Sequence, residues 1–248
     1  MRLCYDNKFL DATILATSEN PNYVAANMQN TILAKVYRSV ADSTTIKMST
    51  QIKASYFFVL NHNLSSTSIV TLQGNDTDSW GSPSFEETVN YRSDMCYLNF
   101  AESTYNFWRV VITDDDTGTD GYIEIGSMYL GTYLQMPGMK LDQQLEYKSD
   151  SNVSITYSGQ AYGEERYSYR NPSFNFPFIS HDQRKELITM FNNNKNIKPL
   201  ICLVWANDLG IEAPLYCVVD QKSIQPKRNG ENNGTHAWTA KLKFREVF

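Results

Sequence analysis

Histidine is scarce in this chain of 248 residues: His62, His181 and His236 are the only three. Spread so far apart, they form no local metal or triad signature, and no GxSxG, HExxH, P-loop or GxGxxG pattern accompanies them. Cysteine is equally sparse. Cys4, Cys96, Cys202 and Cys217 include no CxxC pair and no His neighbour at zinc-ligand spacing, which excludes the common zinc modules. No apolar run approaches the ~18 residues of a spanning helix. The opening MRLCYDNKFLD has no apolar h-region, so no signal peptide is expected, and the chain is expected to be assembled in a cytoplasm or exported without a signal of its own. Basic clusters are lacking too. Lys227–Arg228 is the nearest approach to one, in a chain of net charge −5, so nucleic acid is not an expected partner.

What is present is β-forming. Hydrophobic residues make up 42% of the chain, with 16 Tyr and 12 Phe. Period-two alternation recurs over 52–60, 66–74, 107–113, 121–131, 151–159 and 237–248. Within 52–60 it places Ile52, Ala54, Tyr56, Phe58 and Leu60 on one face. Within 151–159 it groups Val153, Ile155 and Tyr157. In the last segment Trp238, Ala240, Leu242 and Phe244 oppose Thr239, Lys241, Lys243 and Arg245, a strand with one buried and one wet face. One helix is predicted over 181–194, opened by Ser180 and Gln183 at capping-box spacing and closed by the Asn-rich run before Pro199. The stretch 30–39 reads equally as a short helix or a strand. QMPGMKLDQQ, 135–144, breaks the alternation, so the expected domains are a β-sandwich over 1–135 and a β-rich domain over 140–248.

Candidate chemistry is thin. DDDTGTDG, 114–121, reads as the polar tip of a hairpin or as a calcium site using Asp114, Asp116 and Asp120. An EF-hand is excluded, because a count from Asp116 puts Gly118 at the third place and Ser127 at the twelfth, where oxygen ligands are needed. The carboxylate pairs Glu86–Glu87 and Glu164–Glu165 are sequence neighbours, which point to opposite faces of an extended segment. No enzyme and no cofactor are expected. Trp80, with Asp76 and Asp78 in the same polar loop, could stack on and hydrogen-bond a sugar, or simply anchor the loop. Tyr167, Tyr169, Arg170, Phe174 and Phe176 form an aromatic and Arg-rich segment of the kind enriched at subunit contacts. If 200–205 and 214–219 form a hairpin, simple register opposes Cys202 and Cys217, as a disulfide or as two buried thiols.

NHNLSSTSIVTLQGNDT, followed by FWRVVIT and GYIEIGSMYLG, resembles the galactose-binding-like, discoidin-type jelly roll of bacteriophage virion proteins over roughly 20–135. The order RYSYRNPSFNF, HDQRKELITMF, KPLICLVW, LYCVVD and a closing strand resembles distal-tail and minor-tail proteins near the phage tail tip. The resemblance implies a mainly β chain, a jelly roll plus a β-rich domain with one short helix. It implies a non-enzymatic virion component of the tail or tail tip, assembling as a homo-oligomer with other phage tail proteins. In that family the WR and YIEIG strands sit together, which makes the aspartate-rich segment a hairpin tip. The alternative is a carbohydrate-binding module contacting host-surface glycans. An accessory subunit of a glycan-active hydrolase is a third reading.

Overall fold

The computed structural model describes residues 1–116, 121–139, 144–206, 213–232 and 235–247, with side chains described outside 229–236. The chain is mainly β, as expected, with a jelly-roll sandwich followed by a β-rich unit that carries one short α-helix. Contacts divide it into Asp6–Tyr133 and a second unit made of Met1–Tyr5 with Leu134–Val247.

The first strand, β1 (Arg2–Cys4), therefore does not belong with the sandwich, as a 1–135 domain would require. The sandwich strands are β2 (Ile14–Ala16), β3 (Tyr37–Arg38), β4 (Ser43–Met48), β5 (Ile52–His62), β6 (Ile69–Asn75), β7 (Phe85–Thr88), β8 (Met95–Tyr105), β9 (Phe107–Thr113) and β10 (Glu124–Gly131). They form a five-stranded sheet, β2-β4-β9-β6-β7, and a four-stranded sheet, β3-β10-β5-β8. The inward residues of both build one core: Ile46 and Met48 on β4, Val110 and Ile112 on β9, Phe57 and Val59 on β5, Met128 and Leu130 on β10. Trp108 is fully buried there, and its indole N–H donates to the Ile52 carbonyl at 3.1 Å.

Three expectations differ from the structure. β9 and β10 do not form a hairpin. Both edges of β9 are taken by β4 and β6, while β10 pairs with β3 and β5, so the aspartate-rich segment crosses from one sheet to the other. Nor does β5 keep one face. Its register shifts between Ala54 and Tyr56, where two steps on β5 oppose four on β8, and the inward positions change from even to odd numbers beyond it. Ile52 and Ala54 face the sandwich core, followed by Phe57 and Val59, whereas Tyr56 and Phe58 stack on each other with centroids 5.5 Å apart outside that core. The segment 30–39 is neither of its alternatives at full length. A 3-10 helix at Ala25–Gln29 precedes it, and only Tyr37–Arg38 is strand.

The second unit contains β11 (Leu134–Gln135), β12 (Gln144–Ser149), β13 (Asn152–Ile155), β14 (Ala161–Glu164), β15 (Ser168–Ile179), α1 (His181–Asn194), β16 (Leu200–Leu203), β17 (Leu215–Val219), β18 (Lys227–Asn232) and β19 (Thr235–Glu246). Its main sheet runs β11-β1-β16-β17-β19-β15-β12, with β18 also on β19. The capping box at Ser180 and Gln183 is present, and Leu187 and Met190 of α1 bury against Phe176, Leu242 and Phe244. Cys202 opposes Leu215, and Cys217 opposes Leu200, two residues away from the expected register. All four cysteines are buried free thiols. Val153 and Ile155 are no core residues. β13 and β14 pair only with each other and are exposed throughout.

Gly126 shows how closely the sandwich is built. A Cβ there would lie 2.5 Å from the Leu33 carbonyl oxygen, whereas one at Gly81 would meet nothing within 4 Å. Gly126→Ala should cost about 1–3 kcal/mol and Gly81→Ala close to nothing. Thermal unfolding of the two variants checks this, and equal melting temperatures would contradict it.

Candidate functional site

The outer face of the five-stranded sheet carries a polar row set by register. Lys47 on β4 opposes Arg109 on β9, Arg109 opposes Gln73 on β6, and Gln73 opposes Glu86 on β7. Alternation forces this outward turn, because Trp108 and Val110 point into the core. The Arg109 Nε donates to the Gln73 amide oxygen, and the Gln73 amide N–H donates to Glu86.

Trp80 sits on this row. Arg109 lies against one face of its ring, 4.5 Å from the centroid, and its indole N–H donates to Asp78 at 2.9 Å. The other Asp78 oxygen pairs with Lys47 at 2.7 Å. Hydrogen bonds from Lys47 and Trp80 hold the Asp78 carboxyl below its ordinary range, while burial draws Arg109 down from its ordinary value. The loop 76–84 is fixed at its root by Asn75, whose amide donates to the Ser79 carbonyl at 2.6 Å and whose oxygen accepts from Ser84 at 3.0 Å. Asp76 is exposed in the same loop. Its carbonyl accepts from Asn106, which in turn accepts from Gln51 at 2.9 Å. Trp80 is thus both a loop anchor and an oriented, half-buried ring, with one face occupied by a cation.

Trp80 and Asp78 are brought together; Lys47 and Arg109 were missed. Their only sequence signal is the outward position each takes in an alternating strand beside a buried neighbour.

The assembly segment divides. Tyr167 is exposed, and its ring lies 6.1 Å from that of half-buried Tyr169. Arg170 is committed to Glu246, with its backbone N–H donating at 2.9 Å and its guanidinium paired to the same carboxylate. Phe174 and Phe176 are 3% and 1% exposed core residues, because even-numbered positions of β15 face α1 and the core side of β19. They are unavailable as contact residues.

The calcium set also separates. Asp114 is 1% exposed and accepts from the Ser65 backbone N–H at 2.7 Å and the Ser65 hydroxyl at 2.6 Å. Asp116 is exposed, and Asp120 lies outside the described residues. Among the described residues no group of His, Cys, Asp or Glu is arranged to hold a metal.

Asp114 belongs to a latch built by NHNLS, 61–65. Asn61 donates to the Leu33 carbonyl at 2.8 Å. Asn63 donates to the Tyr122 carbonyl at 2.9 Å and accepts from the Glu124 backbone N–H at 2.7 Å. Leu64 is buried in the core. His62 lies 3.3 Å from the Cys96 sulfur, the one His–Cys pairing among the described residues that could suggest a nucleophile. Burial pushes the Cys96 thiol up to about 11 and pulls His62 below its ordinary value, so at neutral pH neither carries charge and the pair is a packing contact.

No family model matches the sequence, and no curated protein matches it. Solved structures do. CpGH89CBM32-5 from Clostridium perfringens, in complex with GalNAc-β-1,3-galactose, is 11% identical with a TM-score of 0.42, covering 51% of this chain and 99% of its own. A Streptococcus pneumoniae fucose binding module is 10% identical with a TM-score of 0.41, covering 52% and 98%. Chitosan-binding module 1 from a Paenibacillus chitosanase/glucanase is 16% identical with a TM-score of 0.41, covering 50% and 98%. At these scores the likenesses carry no site residue over to this chain.

Because His62 has a folded pKa below its unfolded value near 6.5, the unfolded chain holds the extra proton as pH falls through that value. The stability His62 contributes is present above pH ~6.5 and is lost progressively below it. His62→Gln should flatten the fall in unfolding free energy between pH 7 and 5. An unchanged pH slope would contradict the assignment. Asp114→Ala removes the buried acceptor of the Ser65 N–H and hydroxyl and should cost about 1–3 kcal/mol, measured by denaturant unfolding.

Proposed function

We propose that the chain is a non-catalytic carbohydrate-binding protein whose sandwich recognises a host-surface glycan at the loop carrying Trp80. The observation that supports this is the fixed indole. Asp78 holds its N–H and Arg109 backs one face, and the opposite face is the one that would stack on the apolar face of a pyranose ring. Asp76, Lys47 and the Gln51–Asn106 pair stand at the same end of the sheet with groups that hydrogen-bond hydroxyls. Preorganising the ring lowers the ordering cost of binding.

A tail or tail-tip component of a bacteriophage virion, made in the host cytoplasm and assembled with other tail proteins as a homo-oligomer, is the second reading. It is favoured by the ribbon spanning 144–167, where Tyr147, Val153, Ile155, Tyr157, Tyr162 and Tyr167 are all more than half exposed. An isolated two-stranded ribbon is marginally stable in water, and apolar groups gathered on one call for a covering partner. Light scattering across a concentration series tests it: a closed oligomer supports assembly, and a monomer at every concentration speaks against self-assembly. The two readings are compatible, since a virion part can carry a sugar site.

Calorimetric titration with GalNAc-β-1,3-galactose, fucose and chitotriose tests the glycan reading. At least one should bind saturably, with Trp80→Ala weakening it by about tenfold, on the order of 1.4 kcal/mol, and Trp80→Phe retaining most of the affinity. Binding that Trp80→Ala leaves intact would move the site elsewhere, and no binding by any of the three would remove the support for this reading.

A further inference from the structure

The second unit carries a cleft that the Trp80 loop does not involve. It is an open depression of about 360 Å³ on the outer face of the main sheet, lined by Asn175, Pro177, Gln225, Lys227, Thr239 and Lys241. That volume lies within the range of small-molecule sites, ~300–1,000 Å³. A register shift between Phe176 and Ile179 creates it. Here β15 departs from β19, and Pro177, which has no N–H to give the ladder, stands in the gap. The floor is rigid, because Phe176 and Ala240 beneath it are core residues.

The charge is one-sided. Lys227 pairs through its backbone with Thr239, which places it beside Lys241 across β18 and β19. Lys241 continues into Lys243 and Arg245 on the same face, cations spaced by about 7 Å as alternate strand residues must be. Among the described residues no ion pair engages Lys227, Lys241, Lys243 or Arg245. Glu246 faces the other way to Arg170, and Glu146 is held by Lys148 at 3.3 Å. Asp220, whose backbone N–H donates to the Lys243 carbonyl, is the one described carboxylate beside the row. Four cations without an ion pair among the described residues, on one strip of a chain with net charge −5, mark a local reversal of sign.

We infer that this cleft binds an anionic polysaccharide, with Lys227 and Lys241 on its carboxylates and Gln225 and Thr239 on its hydroxyls. The Gln225 carboxamide can donate and accept, and the Thr239 hydroxyl, which donates to the Lys227 carbonyl, can still accept, which suits sugar hydroxyl groups. The regular spacing of Lys241, Lys243 and Arg245 suits a linear ligand with repeated charge. No exposed aromatic lines the cleft to stack a nucleobase. The inference rests on the second unit alone and stands whether or not the Trp80 loop binds sugar.

The test uses the full chain with oligogalacturonate, neutral dextran, poly-glutamate and inorganic phosphate as probes. Oligogalacturonate should bind saturably and weaken as salt rises, and dextran should not bind. The double variant Lys227→Glu/Lys241→Glu should lose at least tenfold in affinity, with melting temperature unchanged because both side chains are exposed. Lys35→Glu, a charge reversal placed in the sandwich instead, should bind like the parent. Poly-glutamate or phosphate binding as tightly as oligogalacturonate would overturn the saccharide assignment. Absent binding, or a double variant that binds as well as the parent, would overturn the site.

Discussion

The side chains of Asn61, Asn63 and Ser65 satisfy polar groups on three other segments of the sandwich, and its closure depends on them. In a two-sheet jelly roll the connections cross between layers, where their backbone groups have no neighbouring strand to pair with. Asn61 takes the Leu33 carbonyl, Asn63 takes both a carbonyl and an N–H at the entry to β10, and Ser65 takes Asp114 at the exit from β9. Each is a part-buried backbone group that would otherwise lose its protein partner, at a cost up to that of a lost hydrogen bond. The turn therefore fixes where both central strands of the crossover begin and end. This explains why the motif that carries the jelly-roll resemblance is rich in polar residues while none of them faces a ligand.

The surfaces proposed to bind are made by a different rule. Both lie on the outward faces of sheets whose inward faces are fully committed to a core. On β9 the burial of Trp108 and Val110 turns Arg109 out; on β19 the burial of Ala240, Leu242 and Phe244 turns Lys241 and Lys243 out. What separates them is pairing. Around Trp80 every cation has an acceptor, so the site is electrically balanced and suits a neutral ligand. The strip on β19 is left unbalanced.

Much of this was legible from local pattern. Strand 107–113 and helix 181–194 lie where alternation and the capping box put them, since those signals are written within the element itself. What alternation cannot encode is which strand lies alongside. It gave no sign that β1 pairs with β16, that β9 and β10 lie in opposite sheets, or that Cys202 meets Leu215. The bulge in β5 defeated it directly, because an unbroken alternating reading of 52–60 assigns Tyr56 and Phe58 to the face that Phe57 and Val59 occupy. The site shows the same division. Trp80 and Asp78 are two residues apart and visible together, whereas Lys47 and Arg109 reach them only through the register of three strands.

The four thiols lend the molecule an internal clock. Cys96 is buried in the sandwich, and Cys4, Cys202 and Cys217 in the other unit, so a small alkylating reagent finds none of them in the native state. Each must wait for its own unit to open. The order in which single and triple adducts accumulate would therefore report which half of the chain breathes first, without any label being added to it.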